Sequence, residues 1–120
     1  MISMRNMVVM AALVLLTACG TAQLYHQQLV TLDKGMSPVQ ASSALQQTPL
    51  SMHETTVDGI PYTFHRYFLS NGRFGDTYLL CFEGEKLKYW GYIEEFRRYP
   101  DPRINRAMDA VLPQIRAAKN

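Results

Sequence analysis

The segment between Met52 and Tyr92 constrains the fold more than any other part of the chain. It contains four runs that favour β-strands, at 52–57, 60–69, 77–82 and 86–92. Short turn signals separate these runs, and the first, Asp58-Gly59, is typical of a two-residue β-hairpin. A parallel crossover needs a dozen or more residues, so connections this short favour antiparallel neighbours. The sequence therefore predicts an antiparallel β-meander.

Two short helices are predicted before this meander. Residues 21–34 carry apolar side chains at helical spacing. A second helix begins at a capping box, in which Ser37 is the N-cap, Pro38 is the first helical residue and Gln40 lies three residues after the cap. We expect this helix to run to about Gln47.

The chain after the meander is predicted to be helical again. Residues 93–98 indicate about one helical turn, and apolar residues then recur at helical spacing from Ile104 to Ile115. We expect Pro113 to kink or interrupt this last helix, because proline lacks an amide hydrogen and clashes with the preceding turn. The fold class is therefore α+β: two N-terminal helices packed on a three- to four-stranded antiparallel β-meander, followed by a C-terminal helical tail.

The N-terminus predicts a targeting signal. Arg5 is the only charge before Asp33, and an apolar run over 7–16 and several small residues follow it. A basic start, a short apolar run and a small-residue cleavage zone are typical of a secretory signal peptide. The alternative is a membrane-spanning helix, but such a helix needs about 20 apolar residues, and this run is shorter.

The residues Leu16-Thr17-Ala18-Cys19 resemble the lipobox of bacterial lipoproteins. The resemblance implies removal of residues 1–18, a diacylglyceryl thioether on the Cys19 sulfur and acylation of the new amine. Several acyl chains anchor a protein stably, because each buried CH₂ contributes about 0.8 kcal/mol. In that family Gly20, rather than an aspartate, after the cysteine favours release to the outer membrane. The alternative is a buried cysteine near an ordinary cleavage site.

Composition argues against several other classes of protein. The 12 basic and 10 acidic residues give a net charge of +2, which is too small for an electrostatic nucleic-acid binder. Two cysteines do not make a disulfide scaffold or a zinc finger. The second of them, Cys81, lies in an apolar run and is expected to be buried and inert.

The sequence contains no arrangement that predicts catalysis or metal binding. His26, His53 and His65 do not have the spacing of a helical metal site. Ser37 is explained as a helix cap, and the neighbours Glu94 and Glu95 point apart on a helix. We therefore expect a protein that is not an enzyme, with no cofactor, no metal and no small-molecule substrate.

Two motifs resemble a known family. Residues 32–40 (LDKGMSPVQ) look like the helix junction of the BamE-like (SmpA/OmlA) lipoprotein domain, and residues 80–91 (LCFEGEKLKYWG) resemble its hairpin. The resemblance covers roughly Leu29 to Gly91. It departs at Gln47, where the family usually ends its second helix with glycine, and a left-handed backbone there would cost about 1 kcal/mol. The resemblance implies a BamE-like ααβββ domain over 19–92, with 93–120 as a C-terminal helical extension.

Aromatic residues are concentrated between Tyr62 and Tyr99. If helices cover only one face of the sheet, Tyr67, Trp90 and Tyr92 are candidates for the open face, where they would bind a partner. Tyrosine and tryptophan are enriched at the energetically important positions of protein interfaces. The alternative is that the C-terminal helix covers these side chains.

We therefore expect a lipid-anchored envelope protein that faces the periplasm from the outer membrane. It would contact the bilayer through acylated Cys19 and act as a non-catalytic binding or scaffold module for another envelope protein, in outer-membrane assembly or envelope integrity. The alternative is a periplasmic inhibitor or modulator of an enzyme, because the similar β-lactamase-inhibitor fold presents a sheet to its target. The basic residues of the last helix either contact anionic lipid or form an ordinary solvated face: Arg103, Arg106, Arg116 and Lys119.

Overall fold

An antiparallel sheet with helices before and after it forms the part of the chain that the computed structural model describes, residues 23–70 and 75–118. This arrangement confirms the α+β prediction. The signal peptide and Cys19 lie outside the described residues. In chain order the elements are β1 (Gln23–Leu24), α1 (His26–Leu29), α2 (Pro38–Leu45), β2 (Ser51–Val57), β3 (Ile60–Ser70), β4 (Gly75–Glu83), β5 (Lys86–Tyr92), α3 (Ile93–Arg98) and α4 (Pro102–Ala118).

Strands β2 to β5 form the predicted meander, with each strand antiparallel to the next. The β2–β3 hairpin turns at Asp58 and Gly59, whose φ angles of 53° and 77° are those of a type I′ turn. The short strand β1 pairs in parallel with the end of β3, where Gln23 is the partner of Phe68. Strands β1 and β2 therefore follow one another along the same edge of β3.

The first helix is much shorter than predicted. Of the described residues 23–34, only His26–Leu29 are helical, and the preceding Gln23–Leu24 is a strand. Leu24 is fully buried beside its neighbours on β3, so pairing with the sheet prevails over the helical spacing of residues 21–34.

The predicted capping box of α2 is confirmed. The amide of Gln40 donates to Ser37 Oγ at 3.1 Å, and the Ser37 amide donates to Gln40 Oε1 at 3.0 Å. The helix ends at Leu45, and the left-handed residue is Gln46, with a φ of 55°, rather than Gln47. The Gln47 amide instead donates to the carbonyl of Ser42 at 3.3 Å, as in a Schellman motif.

Helices cover both faces of the sheet, and each face has its own apolar cluster. The apolar cluster on the face that α4 covers, called the α4 face, consists of Val57, Tyr62, Phe64, Leu79, Cys81, Phe96, Ile104, Ala107, Met108, Val111 and Ile115. The apolar cluster on the face that α2 covers, called the α2 face, consists of Leu24, Leu32, Ala41, Leu45, Tyr67, Leu69, Tyr78, Leu80, Phe82 and Leu87. The C-terminal segment, which the family resemblance places after its domain as an extension, therefore shares a core with the sheet.

A β-bulge in β5 changes which side chains share a face. Cys81 is the partner of Tyr89, but Phe82 is the partner of Leu87, so Lys88 is the extra residue. Leu87 consequently lies on the α2 face and Tyr89 packs against the α4 face. Strict alternation along β5 would instead place these two side chains on one face.

Helix α4 continues through Pro113, so the predicted interruption does not occur. Proline removes the hydrogen bond to the carbonyl of Asp109, but both residues lie on the exposed side of the helix. Water can hydrogen-bond that carbonyl, and the buried stripe of α4 is unaffected.

Candidate functional site

The proposed anchor lies close in sequence to the first described strand. Cys19 itself is outside the described residues, and four residues later Gln23 begins β1 at the edge of the sheet. A lipid chain on Cys19 would therefore hold this edge near a membrane.

Tyr67 is not available to a partner. Its side chain is fully buried on the α2 face, where the N-terminal helices cover it. The sequence offered two expectations for this residue: that it lies on an open face, or that the C-terminal helix covers it. Both are wrong, because Tyr67 is buried and the C-terminal helix covers the opposite face.

Trp90 and Tyr92 keep partial exposure at the outer strand of the sheet. Both are half-buried and pack against the α2-face cluster. The ring of Tyr92 meets that of Tyr78 edge to face at 5.1 Å, and the Tyr92 amide donates to Glu95 Oε1 at 3.0 Å. These contacts hold Tyr92 in one orientation while part of its ring faces solvent.

The backbone beside these aromatic residues is only partly covered. The Leu87 amide donates to the carbonyl of Met36 at 2.7 Å, and the Gly35 amide donates to the carbonyl of Leu87 at 2.8 Å. Beyond Leu87, none of the described strands pairs with the outer side of β5. We call Trp90, Tyr92 and the outer backbone of residues 89–92 the β5 aromatic edge.

A polar cluster that sequence reasoning missed lies at the other edge of the sheet. Ser51 Oγ is 2.8 Å from His53 Nε2 and accepts a hydrogen bond from Arg66 Nε, also at 2.8 Å. Burial lowers the pKa of His53, and the nearby Arg66 charge lowers it further, while a hydrogen bond with Gln114 acts in the opposite direction. The only signal in the sequence is the separation of Ser51 and His53 by two residues, which places them on one face of a strand.

The chemistry of this cluster favours a structural role. A serine hydrogen-bonded to a histidine is part of many nucleophilic sites. Here, however, Arg66 already donates to the serine oxygen, and the second group that hydrogen-bonds His53, besides Ser51, is the side-chain amide of Gln114 and not a carboxylate. The cluster therefore fastens β2 to β3 and to α4.

The basic residues of α4 are largely engaged within the protein. Arg106 donates to Asp58 Oδ2 at 2.6 Å, and Arg103 lies 3.6 Å from the same oxygen. These pairs join the start of α4 to the β2–β3 turn, which favours the interpretation of a solvated helix face over contact with anionic lipid at these two residues.

Cys81 is fully buried, as predicted. Burial raises the pKa of its thiol to about 12, so the sulfur stays protonated at neutral pH. Over residues 23–70 and 75–118, no group of three or more His, Cys, Asp or Glu side chains is arranged to hold a metal ion.

Comparison of the chain with known protein families, with curated proteins and with solved structures finds no match. None of the helices in the described part of the chain has the length and apolar character needed to cross a membrane.

Proposed function

We propose that this protein is a lipid-anchored envelope protein that binds another envelope protein without catalysing a reaction. The observation that carries the proposal is the lipobox-like Leu16–Cys19, placed four residues before the first strand of a folded domain. A short apolar run after a single basic residue agrees with secretion. The anchor would place the domain on the outer membrane, facing the periplasm.

The β5 aromatic edge is the binding surface that the geometry favours. Trp90 and Tyr92 combine partial exposure with packing against a buried cluster, so binding would cost them little conformational freedom. Beyond Leu87, none of the described strands pairs with the outer side of β5, so an extended segment of a partner can add there, as in β-strand addition. Aromatic side chains beside an unpaired strand edge thus offer both affinity and specificity.

Mass spectrometry of the protein expressed in a bacterial host tests the anchor. We expect a chain that begins at Cys19 and carries acyl groups on that residue. The Cys19→Ala variant should appear in the soluble fraction. An uncut, unmodified chain in the cytosol would refute the proposed anchor.

Site-specific photo-crosslinking tests the binding surface. A photoreactive phenylalanine analogue at position 90 or 92 should capture one envelope protein, and the same analogue at Phe68, an exposed aromatic residue on the other face, should not. Equal capture from all three positions, or none, would contradict the assignment of this edge. Capture of a soluble enzyme that persists with Cys19→Ala would favour the inhibitor alternative instead.

A further inference from the structure

Two apolar side chains are exposed where the chain joins the sheet. Leu50 is 47% exposed and Met52 is 63% exposed. Met52 is the partner of His65, which places it on the α2 face, beyond the region that the N-terminal helices cover. Glu54, two residues further along the same strand face, is exposed and marks the end of this apolar pair. We call Leu50 and Met52 the β2 apolar pair.

This pair lies beside the predicted tether. Gln23 and Ser51 are the partners of Phe68 and Arg66, so they lie two residues apart along one edge of β3, about 7 Å. Three residues separate Cys19 from Gln23, and the four Cα–Cα steps between them span at most about 14 Å when fully extended. The tether therefore holds Gln23 within about 14 Å of the lipidated residue, and Ser51, between the two residues of the β2 apolar pair, within about 21 Å of it.

The distribution of acidic residues agrees with this orientation. No Asp or Glu occurs between Asp33 and Glu54, the stretch that leads into the β2 apolar pair. An anionic bilayer therefore does not repel this stretch through carboxylates.

We propose that the β2 apolar pair rests on the bilayer to which Cys19 is anchored, an inference that depends on the lipid anchor of the proposed function. None of the described strands pairs with the outer side of β2, and this keeps the edge out of the hydrocarbon core, because open sheet edges do not occur there. Leu50 and Met52 therefore enter only the interfacial layer. Since three inter-strand spacings separate β2 from β5, the β5 aromatic edge points away from the membrane, about 14 Å higher.

Tryptophan quenching on a tethered protein tests this orientation. Residues 19–120, which include every described residue, are coupled through the Cys19 thiol to a maleimide lipid, while buried Cys81 stays unreactive. The variants Leu50→Trp, Met52→Trp and Val39→Trp are made in a Trp90→Phe background. Val39 is the matched control because it is 75% exposed and lies near the β5 edge, three residues after Met36. The vesicles contain phosphatidylethanolamine, phosphatidylglycerol and phospholipids brominated at either a shallow or a deep chain position.

We expect shallow bromines to quench Leu50→Trp and Met52→Trp at least threefold more than Val39→Trp, and deep bromines to quench all three weakly. The unsubstituted protein provides a second measurement that does not depend on the variants folding. Its native Trp90 should be quenched no more than Val39→Trp. Equal quenching at positions 50 and 39, or strong quenching of Trp90, would overturn the orientation.

The other outcomes separate the two proposals. Because the tether is chemical, an unacylated Cys19 in cells would refute the proposed function without affecting this measurement. If position 50 stays unquenched on vesicles but crosslinks in cells to a protein that position 39 does not capture, the β2 apolar pair binds protein, and the assignment to lipid is wrong.

Discussion

Phe96 is the residue through which the C-terminal segment can best be tested as part of the core. It lies in α3 and is fully buried. Its ring meets Phe64 of β3 at 5.5 Å and Tyr89 of β5 at 5.0 Å, both close to edge to face. Phe96→Ala should therefore destabilise the whole sheet and not only the helix that carries it.

The expected magnitude follows from these contacts. Truncating a buried phenylalanine to alanine costs about 3–5 kcal/mol, and a domain of this size is stable by about 5–15 kcal/mol in total. Each kcal/mol lowers the Tm by roughly 4–8 °C, so Phe96→Ala should lower it by at least about 12 °C. Phe96→Leu keeps most of the volume and loses the two ring contacts, which should cost about 1 kcal/mol.

Urea unfolding followed by far-UV circular dichroism and by Trp90 fluorescence measures these differences. Arg98→Ala, an exposed change in the same helix, is the control and should fall within about 0.5 kcal/mol of the unsubstituted protein. A loss below 1 kcal/mol for Phe96→Ala, or separate transitions for the two probes, would show that the C-terminal segment unfolds independently of the sheet.

Three further predictions concern single groups. Asp58→Asn should lose only the exposed ion pairs with α4, which lowers the free energy of unfolding by about 0.2–1 kcal/mol in a salt-sensitive way. Asp58→Ala should lower it by about 1 kcal/mol more, because alanine disfavours the positive φ at this position. Equal losses for the two variants in urea unfolding would refute the turn argument. Burial lowers the pKa of both His53 and His65, so below pH 6.5 the unfolded chain binds protons that the folded chain does not. The free energy of unfolding should therefore fall as the pH decreases below 6.5, and a flat profile between pH 7.5 and 5 would contradict this. The Cys81 thiol should react with iodoacetamide only on unfolding, so alkylation in native buffer at the rate of a free thiol would show that the core is open.

The features that the sequence predicted correctly depend on neighbouring residues alone. The Asp58-Gly59 turn follows from the backbone angles that these two residues tolerate. The capping box depends on Ser37 and Gln40, which lie within one turn of each other. The spacing of strands β2 to β5 then follows from short turns between apolar runs.

The features that were missed depend on distant contacts. The helical spacing of residues 21–34 does not reveal that Leu24 has a place beside Leu69 on β3. Nor does the sequence of the C-terminal segment reveal that it covers the α4 face while the N-terminal helices cover Tyr67. Of the three aromatic residues predicted for an open face, Trp90 and Tyr92 keep partial exposure and Tyr67 does not, and the binding of a partner at the first two stays a prediction.

The bulge at Lys88 decides which face of the sheet carries the β5 aromatic edge. If Lys88 were paired regularly instead of forming the bulge, strict alternation from Leu87 would turn Trp90 toward the α4 face and Tyr89 away from Phe96. Deleting Lys88 removes the extra residue and leaves Tyr89 opposite Cys81, so every side chain after it keeps its face.

We therefore expect the Lys88 deletion to unfold cooperatively, with Trp90 emission unchanged. Deleting Thr55 is the matched control, because β2 pairs with β3 without a bulge and the deletion reverses the faces of the residues on one side of it. That variant should turn His53 away from its contact with α4 and be strongly destabilised. If the Lys88 deletion is the more damaging of the two, or shifts Trp90 to a solvent-exposed emission, the bulge does not set the orientation of this edge. In that case the surface proposed to bind a partner would have to be sought on the other side of β5.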